Sequence, residues 1–139
     1  MGVDTFGLAP WARDGFDDWF NNASVQNIID NKSSVSTALR NGGGKHELFP
    51  VSMAGKAKEL GLTAQQIKKM SVGTDRITFT GVTDRSGKPL SDGVHTGSRA
   101  GRHFHNKLIR ELNTATTKLE AKKIIAKHHR AHMRLKKCG

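Results

Sequence analysis

Seven histidines, at positions 46, 95, 103, 105, 128, 129 and 132, all lie beyond residue 45 of this 139-residue chain. Imidazole ligates metals or exchanges a proton near neutral pH, so a histidine set confined to one basic stretch points to phosphodiester chemistry. His46 and Glu47 form the first constellation. They follow the glycines of GGGKHELFP (42–50) at a strand edge, an exposed but rigid place for a general base with a carboxylate beside it; a surface turn is the plainer alternative. His95, in DGVHTGS, just precedes a helix that Ser98 can cap, and His103 lies about one and a half turns into it. Both can face one side near a helix N-terminus, where an anion is also favoured. Asn106 shares the side of His103, whereas His105, two residues on, lies on a different face. His128 and His132 have the i, i+4 spacing of a helical metal pair. Their Lys and Arg neighbours and the lack of a carboxylate between them favour a solvated helix facing phosphate instead.

Charge sharpens this reading. The formal net charge is +11, which calls for a polyanionic partner, most simply nucleic acid. Residues 1–40 carry three basic and five acidic side chains, and residues 41–139 carry twenty and seven. Lys45, Arg102, Lys122, Lys123, Lys127, Arg130 and Arg134 are therefore the candidate phosphate contacts, with a soluble basic domain that binds nothing in particular as the plain alternative. No apolar run reaches membrane-spanning length, and MGVDTFGLAPWARDGFDDWF lacks the basic start and apolar core of a signal peptide. The lone Cys138 allows no internal disulfide.

The positioning elements follow from pattern. Residues 1–43 form an aromatic-rich N-terminal segment in which DGFDDWFNNASVQNIIDN predicts one or two short helices and SSVSTALRNGGG a polar connection ending in a hinge. Residues 44–139 form the basic domain. There KHELFPVS reads as a short strand broken by Pro50, MAGKAKELG as a helix closed by Gly61, and LTAQQIKKM as a helix with a Thr63–Gln66 capping box. DRITFTGV alternates as a strand, and TDRSGKPLSDG is a turn-rich loop. A helix then carries Phe104, Leu108 and Leu112 at i, i+4, i+8. A last helix runs from Thr114 or Thr116 to about Leu135, with Leu119, Ile124 or Ile125, His128 and Leu135 as its buried stripe. The fold class expected is α+β.

The order GKHELFP, DRITFTG, HTGSRAGRHFHNKLIREL resembles the HNH/endonuclease VII (ββα-metal) nucleases, closest to the AHH- and GHH-type toxin nucleases, over about residues 42–113. VDTFGLAP is similar to the DPxGL junction at which Rhs-type polymorphic toxins release their C-terminal toxin, with Thr5 in place of the proline. The resemblance implies a small ββα-metal core of two short strands and a helix, with additional helices. It implies a secreted antibacterial endonuclease toxin, delivered from the producing bacterium and acting in the target-cell cytoplasm on nucleic acid, DNA favoured over RNA. His46 would be the general base that activates water, and His95 and His103 the ligands of a divalent metal ion, Mg or Zn. A cognate acidic immunity protein would be the partner, with no membrane anchor. Lys45 stands where the family's first histidine, often a ligand, is found, so either Glu47 or water completes the sphere or the site works without metal. A metal-independent RNase, using His46, a second histidine and Lys45, is the alternative, and a nucleic-acid-binding module without chemistry is another.

Overall fold

The computed structural model describes residue 11, residues 15–40 and residues 45–135. The glycine hinge, the junction-like VDTFGLAP and the last four residues lie outside the described residues. The fold is α+β: among the described residues there are seven α-helices and five short strands. The chain divides into two units, residues 1–43 with 49–71 and residues 44–48 with 72–139.

The first unit is helical: α1 (Phe16–Asn22), α2 (Val25–Asp30), α3 (Lys32–Arg40), a 3-10 turn (Val51–Met53), α4 (Ala54–Glu59) and α5 (Ala64–Lys69). Ser24 caps α2 by accepting from the Asn27 amide, and Thr63 with Gln66 forms the reciprocal capping box of α5. SSVSTALR is helix α3 and not a polar connection, because Val35 and Leu39, four residues apart, share one face and are both buried. Residues 49–71, placed by pattern in the basic domain, cluster instead with the N-terminal segment. α4 packs on α2 and α3, α5 packs on α1 and α3, and Phe49, Val51 and Ile67 are buried. Apolar side chains, not charge, set that division.

The second unit holds β1 (Lys45–Glu47), β3 (Ile77–Phe79), β4 (Gly93–Val94), α6 (Arg99–Leu112), α7 (Lys118–His132) and β5 (Met133–Leu135). β1 pairs with β2 (Ser71–Gly73), while β3 is the middle strand of a second sheet in the order β4-β3-β5. Both β3 pairings are antiparallel, with Thr78 opposite Val94 and Arg134, and Phe79 opposite Gly93 and Met133. Ile77 and Phe79 are buried and Thr78 is exposed, as the alternation predicts. α6 buries Phe104, Leu108 and Leu112 and packs against α7. The last helix departs from expectation. It starts after the cap Thr117, ends at His132 and gives way to β5, burying Ala121, Ile125, His128 and His129. Leu119 and Leu135, expected in the stripe, are 62% and 51% exposed.

Candidate functional site

Two local devices hold the histidines of the second unit. The first fixes α7. Because β5 pairs with β3, the end of α7 lies on β3, where His132 Nδ1 donates to the Thr80 carbonyl (3.0 Å) and the Thr80 amide donates back to the His132 carbonyl (2.7 Å). His128 stacks on Phe104 (centroids 4.5 Å apart, 23° between planes), which stacks in turn on Phe79 (4.4 Å, 27°). The second device fixes His95. Ser98 caps α6 by accepting from the Gly101 amide (3.0 Å), and its hydroxyl donates to the Val94 carbonyl. A Cβ on Gly101 would lie 2.8 Å from the His95 carbonyl oxygen and 3.0 Å from that of Val94. Glycine is thus what lets the segment bearing His95 lie directly on the helix.

These devices converge on His46. Its side chain is not at an exposed edge but 2% exposed, because alternation along β1 turns it inward between exposed Lys45 and half-buried Glu47. Among the described residues, the rings packed on it are those of Phe79, His95, Phe104 and His129. His46 Nε2 lies 2.9 Å from His129 Nε2, and His129 Nδ1 lies 2.8 Å from the Ile125 carbonyl oxygen. The half-buried His95 ring stands 4.9 Å from that of His46 at 71°.

The electrostatics follow from burial and from like neighbours. Burial, and then the imidazoles of His129, His95 and His105, pull the pKa of His46 down to about 3. Burial also lowers His95, against the opposing pull of the Glu47 carboxylate, and lowers His129, against the hydrogen bond to Ile125. At neutral pH all three are neutral imidazoles, able to accept a proton or offer a nitrogen lone pair. His128 differs in detail. Its Nε2 meets the Phe104 carbonyl oxygen at 3.2 Å, and its Nδ1 lies 3.7 Å from a Glu111 carboxylate oxygen. Burial outweighs both and keeps His128 below its ordinary value, so that contact becomes an ion pair only on acidification.

Of the residues nominated from sequence, His46, Glu47 and His95 come together. His103 is brought elsewhere. It lines a cleft of about 350 Å³ with Arg85, Asn106, Ile109 and Arg110. The α6 imidazole whose charge is felt at His46 is that of His105. The reason is helical phase: His105 sits four residues after Gly101, one turn along the flank where His95 rests, whereas His103 is about 200° around from His105. Among the described residues, no three His, Cys, Asp or Glu side chains are grouped to hold a metal ion. The nominated ligands His95 and His103 are thus not grouped with a third such side chain among the described residues. Arg102, Lys122, Lys123, Lys127, Arg130 and Arg134 are all exposed.

His129 and His105 are the residues that pattern reading passed over. Adjacent buried histidines in a basic helix give no periodic signal, and the i, i+4 pattern at 128/132 does not include position 129. Most of the charge stays with the histidines in the folded division. The unit that holds all seven histidines has sixteen basic and six acidic residues, +10 of the total +11. No described helix is long and apolar enough to cross a membrane. Comparison with family models, curated proteins and solved structures finds no match to this chain.

Proposed function

We propose that the second unit cleaves phosphodiester bonds of nucleic acid, with His46 as the proton acceptor. The observation that carries this is the set of neutral imidazoles, His46, His95 and His129, gathered in the unit that carries the charge. A group with a pKa near 3 is a feeble base in the free protein. A phosphodiester entering beside four imidazoles supplies the opposite charge they lack and favours His46 in its protonated form. The base then gains strength when substrate is bound. Lys45, Arg102 and the exposed cations of α7 hold the backbone, and Arg85, Asn106 and Arg110 offer a further set of phosphate donors. Glu47 partly offsets burial at His95, so that imidazole, once protonated beside a bound phosphate, can give a proton to the leaving oxygen while His46 takes one from the attacking water or 2′-hydroxyl.

Two arms differ in cofactor. The succession β3, β4, α6 favours a divalent-metal endonuclease acting on DNA, while the extra imidazoles around His46 and the position of His103 favour metal-free cleavage of RNA. The toxin setting of the resemblance adds delivery into a target cell and an acidic immunity protein, whose charge complementarity with this unit would speed association.

The test is cleavage of labelled duplex DNA, single-stranded DNA and structured RNA by purified protein, with and without chelator. His46→Ala should lose roughly 100-fold or more in rate while still binding nucleic acid. Loss in chelator selects the metal arm, and persistence on RNA selects the other. Full activity of His46→Ala, or an inert wild type on every substrate, overturns the proposal.

A further inference from the structure

We propose that His129 is a positioning residue that fixes the tautomer of His46, so that Nδ1 and not Nε2 is the nitrogen His46 presents for reaction.

The Ile125 carbonyl oxygen, 2.8 Å from His129 Nδ1, can only accept, so Nδ1 of His129 carries a hydrogen. His129 is 6% exposed, and burial together with the neighbouring His128 imidazole lowers its proton affinity, so it is neutral and has only that one N–H. Its Nε2 is therefore a bare acceptor. The 2.9 Å contact between the two Nε2 atoms needs a hydrogen, and only His46 can provide it. His46 is thereby the Nε2–H tautomer, with its lone pair on Nδ1, directed away from His129. The relay ends in a helix carbonyl and not in a carboxylate. It orients the imidazole without adding a negative charge, in keeping with the low proton affinity of His46. α7 is a stiff support for it, since His132, three residues on, is tied to β3 through Thr80.

The inference deepens the proposed reaction and rests on that reading for its kinetic arm alone; the spectroscopic arm is independent. Long-range proton–nitrogen correlation on ¹⁵N-histidine-labelled protein at pH 7.5 reports which ring nitrogen bears the hydrogen. His46 should show a protonated Nε2 and a bare Nδ1, and His129 the opposite. His129→Leu removes the acceptor and should let His46 leave this tautomer. It should lower kcat about 10- to 100-fold with KM little changed, the size typical of an outer partner that orients a functional imidazole. His129→Gln, whose amide oxygen can accept from His46 Nε2–H, should restore the tautomer and most of the rate. If His129→Leu fails to fold, the wild-type spectrum still decides. A hydrogen on Nδ1 of His46 in the wild type, or an unchanged His46 tautomer in folded His129→Leu, overturns the inference. The expected tautomers in a protein that cleaves nothing would sustain the inference and sink the proposed reaction.

Discussion

Acidifying this protein from pH 7.5 to 5 should destabilise the second unit and spare the first, and His46 sets the scale. An unfolded imidazole takes its proton near 6.5, whereas the folded His46 takes one only near 3. Between those values the unfolded chain binds more protons, so the contribution of His46 is intact above pH 6.5 and is lost as pH falls towards 3. At pH 5, about 1.5 units below the unfolded value, the loss is about 2 kcal/mol at about 1.36 kcal/mol per unit. His95, His128 and His129 are shifted the same way and add to this loss, offset in part where protonated His128 meets Glu111. Against the roughly 5–15 kcal/mol that stabilises a domain, the change is large. The first unit has no histidine and serves as an internal control. Trp11 and Trp19 both lie in it, and the chain has no tyrosine, so intrinsic fluorescence would watch the wrong unit. Hydrogen exchange of the α6 and α7 amides against urea at the two pH values is the suitable assay. A His46→Leu variant should lose close to one proton from the pH dependence. Exchange in α6 and α7 that is indifferent to pH, or a slope unchanged in His46→Leu, would refute the reasoning.

Four further outcomes are expected. Gly101→Ala forces a methyl against the Val94 and His95 carbonyls, so it should cost about 1–3 kcal/mol and depress cleavage beyond the stability loss, read by urea melts and kinetics together. Leu108→Ala, at a side chain with no exposure, should cost about 2–5 kcal/mol in the same melts. Replacing Lys122, Lys123, Lys127 and Arg130 by Gln should weaken nucleic-acid binding evenly across sequences and reduce the log–log salt slope by about one per lost contact, leaving turnover at saturation nearly unchanged. Arg85→Gln with Arg110→Gln should lower the slope by about two if the cleft seats a backbone phosphate, and an unchanged slope would dismiss it.

Local features of this protein were legible in its sequence wherever neighbours along the chain create them. The Thr63–Gln66 box, the Ser98 cap, the Phe104–Leu108–Leu112 row and the alternation of Ile77 and Phe79 each depend on contacts a few residues apart, and each stands where pattern puts it. Charge and histidine content also marked out which stretch to inspect. What distance in sequence hides is partnership. That residues 49–71 pack with the N-terminal segment, that α7 breaks at His132 to form β5, and that His129 meets His46 across 83 positions were all decided by tertiary packing. A helix pattern reports only that Lys127, His128 and His129 point in different directions. Which of those directions is inside depends on where β3 and α6 lie, and that is set by burying Phe79, Phe104 and Ile125 together, a condition no local window contains.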